Sequence, residues 1–111
     1  MPITFNKLVI AGTVSAAAVT HDQPLLHATG YSIDIGFTGT TIVGLVKLMA
    51  SNDGTTFTDV PNSEVAITEA DSFYYDVSNA NYKYVRIHCE STSGSITFSA
   101  VMTIKKVAKL L

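Results

Sequence analysis

The sequence is poor in cysteine, tryptophan and charge, and each shortage excludes a class of protein. Its 111 residues include one Cys and no Trp. A single Cys cannot form a disulfide within the chain, which excludes a disulfide-stapled mini-protein, and Cys89 is interpreted as a small buried thiol because it lies in the apolar half of an alternating segment. Charged side chains make up 14% of the residues, against about 25% in an average globular protein. This composition excludes a disordered acidic or basic tail and a coiled coil rich in Glu and Lys.

Two further shortages concern partners. The seven basic residues are scattered and the formal net charge is −2, so no basic patch is available to grip nucleic acid. The apolar runs are far shorter than the roughly 18 residues that span a bilayer, and the segment MPITFNKLVI lacks the parts of a signal peptide. We therefore expect no nucleic-acid partner, no membrane partner, and a protein assembled in a cytoplasm and kept there or carried out as part of something larger.

Serine and threonine replace the missing charge. Thr (14) and Ser (10) together account for 24 of 111 residues, and 47% of the residues are hydrophobic. A chain of this length can bury about 65% of its surface, which is enough for one hydrophobic core and too little for two. A single domain follows.

The dominant pattern is a period of two, which is typical of half-buried β-strands. In residues 31–37, 82–90 and 95–105, apolar side chains alternate with polar ones. Residues 42–50 are apolar on both faces except for Lys47, as in a strand that is covered on two sides or lies in a subunit contact. Weaker strands are predicted at 3–11, 13–20, 55–60, 64–68 and 72–77.

Turn residues separate these strands. They occur at 51–54, 60–63, 78–81 and 91–94, and the last group predicts a hairpin between the two clearest strands. Pro24 excludes a central strand at 20–30, which we interpret as a loop. The prediction is an all-β, jelly-roll-like antiparallel β-sandwich of about seven or eight strands. Residues 1–111 form one domain, with a short N-terminal arm (1–6) and a basic, apolar C-terminal tail (105–111).

Candidate catalytic and metal-binding residues are few. His21, Asp22 and His27 could orient a base or hold a metal, but their spacing fits no ligand pattern and His88 lies on a distant strand. No nucleophile stands beside them, so we expect no enzyme activity, no metal and no cofactor. Asn52-Asp53-Gly54 resembles part of a calcium loop, yet the ligating Glu is absent, and a turn explains these residues better.

Two surfaces carry features that suggest binding. Tyr74, Tyr75, Tyr82 and Tyr84 suggest an aromatic platform for a sugar, although tyrosines in a sandwich usually fill strands. The segment 103–111 carries three of the seven bases and ends in two leucines, which suggests either a solvated tail or an arm that docks on a partner. Acidic residues concentrate in 53–76, so the opposite charges lie apart and could steer assembly.

One longer pattern resembles a known family. The segment Ala50-Ser-Asn-Asp-Gly-Thr-Thr-Phe-Thr-Asp-Val60, followed by Tyr75-Asp-Val77 and Tyr82-Lys-Tyr-Val-Arg-Ile87, resembles small β-sandwich structural proteins of tailed-bacteriophage virions. Their S-x-D-G-x-x-F/W turn precedes a Y-V-R-I/L strand and a Ser/Gly hairpin, here 91–95. The resemblance covers about residues 45–105. Discoidin-like sugar-binding and lipid-binding sandwiches share the arrangement, but this chain lacks their paired cysteines and usual Trp.

The resemblance implies two functions of different classes. The first is a structural protein of the virion, a decoration (cement) protein that sits on the capsid, usually as a trimer, and clamps major capsid protein subunits, or else a head–tail component. Its predicted docking residues are Pro2, Ile3, Phe5, Lys105, Lys106, Lys109, Leu110 and Leu111. The second is a carbohydrate-binding module of a tail fibre or a secreted enzyme. Its predicted sugar-binding edge comprises Asp53, Tyr74 and Tyr82.

Overall fold

The protein consists of nine β-strands, one or two more than the sequence predicts. The computed structural model describes residues 2–25, 28–78 and 80–107, of which 2–5, 106 and 107 are described by their backbone alone. The strands are β1 (Pro2–Ser15), β2 (Ala18–Pro24), β3 (Ala28–Thr38), β4 (Val43–Ser51), β5 (Thr58–Asp59), β6 (Val65–Ile67), β7 (Asp71–Val77), β8 (Tyr84–Ser93) and β9 (Ser95–Val107). No helix lies among the described residues, and therefore none there is long and apolar enough to cross a membrane.

The strands form two antiparallel sheets, which confirms the predicted sandwich. One sheet has four strands in the order β1-β9-β3-β7. The other has five, in the order β2-β8-β4-β5, with β6 also pairing with β4. Every pairing is antiparallel. The molecule is elongated, with extents of 54 × 25 × 21 Å.

The core lies between the sheets, and the alternation predicts its members correctly. Every residue assigned to the inner face of β3, β8 and β9 is at most 4% exposed. These residues are Tyr31, Ile33, Ile35 and Phe37, then Val85, Ile87 and Cys89, then Ile96, Phe98, Ala100, Met102 and Ile104. Tyr75 joins the two sheets, because its hydroxyl donates to the carbonyl oxygens of Ser63, at 2.6 Å, and Val46, at 3.3 Å.

The predicted loop at 20–30 is wrong at both ends, because β3 already begins at Ala28. Residues 18–24 form β2, an edge strand paired with β8. Pro24 ends this strand opposite Tyr84, at an edge position where the missing N–H leaves no gap in a ladder. The reasoning that Pro24 excludes a central strand therefore holds, but an edge strand satisfies it equally well.

The predicted hairpin at 91–94 is also wrong, because β8 and β9 belong to different sheets. The chain turns a corner there, with Gly94 at φ 74° and the Ser91 hydroxyl donating to the Gly94 carbonyl at 2.7 Å. A Cβ on Gly94 would lie 2.8 Å from the carbonyl oxygen of Thr41. Glycine is thus required both for the left-handed conformation and for the close approach of the two chain segments.

Candidate docking site

The two ends of the chain, both predicted to dock on a partner, lie side by side. Residues 2–7 of β1 pair with residues 102–107 of β9, and we call this paired segment the terminal ribbon. Its register places Pro2 opposite Val107 and Phe5 opposite Ile104. The residues expected to form a free arm and the start of a tail are therefore strand residues, because each end supplies the other with hydrogen-bonding partners.

The ribbon contains five of the eight predicted docking residues. Pro2, Ile3 and Phe5 lie on one strand, and Lys105 and Lys106 on the other. Lys109, Leu110 and Leu111 lie outside the described residues. The Lys105 side chain is exposed, and the Thr29 hydroxyl donates to its carbonyl at 3.3 Å. The start of β3 thus supports the ribbon at its basic end, where a bulge falls between Ala28 and Gly30.

The outer face of the four-stranded sheet carries a row of four exposed side chains, three of which are apolar. This row, which we call the ridge, consists of the cross-strand neighbours Leu8, Val101, Asp34 and Tyr74. Leu8 is 60%, Val101 37% and Tyr74 66% exposed, and they are three of the four large exposed hydrophobics among the described residues. Alternation places each of these positions outward, but only the sheet order makes them neighbours, which is why sequence reasoning misses the row.

A row of small side chains runs beside the ridge, two residues further along β9, β3 and β7 and three residues further along β1, where a bulge between Leu8 and Ile10 takes up the difference. It consists of Ala11, Ser99, Gly36 and Ser72, again cross-strand neighbours, and we call it the trough. No atom lies within 4 Å of where a Cβ on Gly36 would stand. The trough and the ridge together border an open depression of about 470 Å³. The next row outward is Thr13, Thr97 and Thr38. Across these three rows Asp34 is the one charged residue, whereas Asp76 and Lys105 lie on the same face beyond the ridge.

The outer face of the five-stranded sheet has the opposite character. Arg86 lies between Asp22 and Phe57, with its Nε 2.6 Å from Asp22 Oδ1 and its Cζ 3.9 Å from the centre of the Phe57 ring. Hydrogen bonding to Arg86 lowers the pKa of Asp22, more than partial burial raises it. Lys47 pairs with Asp59 at 3.1 Å and His88 lies 3.2 Å from Glu90. The charges of this face are thus satisfied within the chain.

The three residues of the predicted sugar-binding edge lie in different surroundings. Tyr74 stands on the outer face of the four-stranded sheet, whereas the half-buried Tyr82 shares a hydrogen bond of 2.5 Å with the buried Tyr31. The Asp53 carboxylate accepts the N–H groups of Thr55 and Thr56, each at 2.8 Å. These backbone bonds lower its pKa and confirm that Asp53 shapes a turn. Of the two tyrosines, only Tyr74 presents an exposed ring to a ligand.

His21, His88 and Cys89 are engaged in contacts within the protein. His21 Nε2 lies 3.1 Å from Gln23 Oε1, and Asp22 is bound by Arg86. His27 lies outside the described residues. Cys89 is fully buried, as predicted, and burial raises its pKa to about 12. Across residues 2–25, 28–78 and 80–107, no three His, Cys, Asp or Glu side chains stand close enough to hold a metal ion.

Comparison with known proteins identifies the fold. No protein-family model and no curated protein matches the sequence. Among solved structures, the SPBc2 prophage-derived protein YomS has a TM-score of 0.59 at 12% identity, covering 93% of this chain and 95% of YomS. The PBSX exported protein XepA has a TM-score of 0.71 at 11% identity, covering 96% of this chain and 39% of XepA.

A third similar structure comes from a carbohydrate-active enzyme. The CBM22-1–GH10 modules of the Clostridium thermocellum xylanase Xyn10B, complexed with xylohexaose, have a TM-score of 0.61 at 7% identity, covering 99% of this chain and 26% of that one. At such identities the likeness concerns the fold alone. The chain is an antiparallel β-sandwich of a type found in proteins of different function.

Proposed function

We propose that the protein is a non-enzymatic structural component of a tailed-phage particle, and specifically a decoration protein that docks on the capsid through the terminal ribbon. The observation that carries this proposal is the pairing of β1 with β9. Two segments about 100 residues apart in sequence, both predicted to dock on a partner, form one continuous surface that includes the exposed Lys105.

One comparison supports this proposal. YomS, which is prophage-derived, matches over nearly the whole length of both chains. This likeness to a prophage-derived protein supports a phage origin for the chain.

The proposal is tested with particles that lack the protein. Purified protein is added back, the bound fraction is measured by co-sedimentation, and the resistance of the particles to heat and low salt is recorded. We expect Lys105→Glu to weaken binding by about tenfold at low salt and less at high salt, because it reverses a charge at the contact. Lys83→Glu makes the same change at an exposed site beside the five-stranded sheet and is expected to bind normally.

Removal of residues 108–111 tests the end of the chain separately. β9 ends at Val107, so this truncation leaves every described strand intact. We expect weaker decoration, because Lys109, Leu110 and Leu111 are removed. Full binding by both the truncated protein and Lys105→Glu would exclude the terminal ribbon as the docking surface.

A second candidate function is carbohydrate binding, and one observation favours it. Tyr74 is 66% exposed beside Asp34 and the depression at Gly36, which gives a sugar ring an aromatic face and a hydrogen-bonding carboxylate. Binding of the isolated protein to a glycan array, abolished by Tyr74→Ala and retained by Tyr84→Ala, would support this function. Absence of binding to every glycan would remove it.

A further inference from the structure

The ridge and the trough on the outer face of the four-stranded sheet have complementary shapes. The ridge carries Leu8, Val101 and Tyr74, which project into solvent, and the trough consists of Ala11, Ser99, Gly36 and Ser72. The rows are parallel and about 6.6 Å apart, because two residues of a strand separate them. Both rows cross all four strands, from β1 at one edge to β7 at the other.

This arrangement complements itself under a two-fold rotation. The rotation axis lies in the plane of the face, runs across the strands and passes midway between the two rows. It places the ridge of each copy over the trough of the other. Val101 then faces Ser99 of the second copy, and Leu8 faces its Ala11. Each contact occurs twice, as in every isologous interface. Sheets packed face to face keep their strands within about 30° of each other, which this rotation allows.

The area of the face fits a stable pair. Four strands about 4.8 Å apart, with ten residues in each of β1, β9 and β3 and the seven residues of β7, give roughly 600 Å² per copy. This length of β9 includes residues 102–106, so the face takes in the outer side of the terminal ribbon. The pair would bury about 1,200 Å² in total, which reaches the lower end of specific interfaces. A sugar chain would cover only part of this surface, and the three exposed hydrophobics span its full width.

The two rows that meet carry one charged side chain, Asp34, in each copy. The rotation places it over Gly36 of the second copy, between the hydroxyls of Ser72 and Ser99, while Asp76 and Lys105 lie nearer the end of the face. Hydroxyls donate to a carboxylate and lower the cost of removing it from water. Threonine rows on either copy can hydrogen-bond across the rest of the contact.

We propose that the outer face of the four-stranded sheet binds a second copy of this chain, with the ridge of each copy seated in the trough of the other. This inference does not rest on the proposed function, because it is drawn from the ridge and the trough, whereas the proposed capsid contact is drawn from the terminal ribbon, which meets only the end of this face. It predicts a dimer of twice 11.8 kDa in solution, whereas the virion resemblance suggests a trimer.

Sedimentation equilibrium and light scattering test the proposal on the whole chain. Ser99→Arg places a long charged side chain in the trough, and we expect the dissociation constant to rise by at least about 100-fold. Thr20→Arg introduces the same side chain at an exposed site in β2, on the other sheet, and is expected to remain dimeric. The urea midpoint of each variant, compared at a concentration where both are monomeric, separates lost pairing from lost folding.

A complementary pair of variants tests the geometry itself. Val101→Glu buries a carboxylate and should also be monomeric. In a mixture with Ser99→Arg, however, the introduced guanidinium and carboxylate face each other, and we expect a mixed dimer with a dissociation constant within about tenfold of the original.

Three results would overturn the inference. They are a monomer at every concentration up to about 100 µM, a trimer, and a mixture of the two variants that stays monomeric. Failure of particle binding bears only on the proposed function, because Lys105→Glu leaves the ridge and the trough unchanged.

Discussion

The two outer faces of the sandwich expose different kinds of side chain to solvent. The Lys47–Asp59 and Arg86–Asp22 ion pairs and the His88–Glu90 contact all lie on the five-stranded sheet, in β2, β4, β5 and β8. The four-stranded sheet presents Ser, Thr and Gly, with Leu8, Val101 and Tyr74 exposed among them. One face therefore satisfies its charges within the chain, whereas the other leaves its apolar groups uncovered.

The difference indicates which face can be buried at low cost. Covering the ion pairs of the five-stranded sheet would remove Arg86, Lys47 and their partners from water, and the desolvation penalty can exceed the attraction of the pairs. Hydroxyls can instead form new hydrogen bonds across a contact, and exposed apolar side chains gain from burial. The four-stranded sheet is thus suited to contacts between proteins, and the five-stranded sheet to solvent.

The largest expected effect is a loss of stability when a methyl group is added to a tightly packed glycine of the five-stranded sheet. In the five-stranded sheet, a Cβ on Gly44 would overlap the carbonyl oxygen of Glu90 and press on the Ile96 side chain. We expect Gly44→Ala to lower the free energy of unfolding by about 3 kcal/mol.

Gly36→Ala is the control in the four-stranded sheet, where open space surrounds the added methyl group. It should be neutral or slightly stabilising, by up to about 0.5 kcal/mol, because the unfolded chain loses freedom. Urea unfolding at equal protein concentration measures both variants. Equal losses of stability in the two variants would contradict the expected difference in packing around the two glycines.

A smaller effect is expected from removing charge on each outer face. Arg86→Ala removes a two-pronged contact with Asp22 and the stacking on Phe57. We expect a loss of about 1–2 kcal/mol from these partly exposed contacts. Asp34→Ala, on the other face, should change stability by less than about 0.5 kcal/mol in the monomer. Thermal unfolding would contradict the comparison if the Asp34 variant lost as much as the Arg86 variant.

The smallest effect concerns pH. The hydrogen bond from Arg86 lowers the pKa of Asp22 below its unfolded value, so its contribution is fully present above about pH 4 and is lost as the pH falls through the folded pKa. Asp22→Asn should therefore be less stable than the original by under about 1 kcal/mol at pH 7. This difference should shrink at pH 3. A difference that is constant with pH would assign the effect to packing.

Local patterns predict the inner faces well, for a simple reason. In 95–105, every second side chain is apolar, and a strand sends alternate side chains to opposite faces. Ile96, Phe98 and Met102 are buried as predicted. The turn at Asp53 is equally predictable, because its carboxylate binds N–H groups two and three residues further along the chain.

The connections between strands are less predictable, because the same residues fit more than one of them. Ser91–Gly94 could close a hairpin or carry the chain to the other sheet, and Gly94 allows both. Pro24 is compatible with a loop and with the edge of a sheet. Which alternative forms depends on packing against strands that are distant in sequence.

The sequence by itself determined that this protein is an all-β domain, which side chains fill its core, and that serine and threonine take the place of charge on its surface, because these properties follow from the alternation of single strands. The tertiary structure alone decided that both chain ends form one ribbon and that Leu8, Val101 and Tyr74 stand in one row. Which residues become cross-strand neighbours depends on strand order, and strand order is set by how the whole core packs.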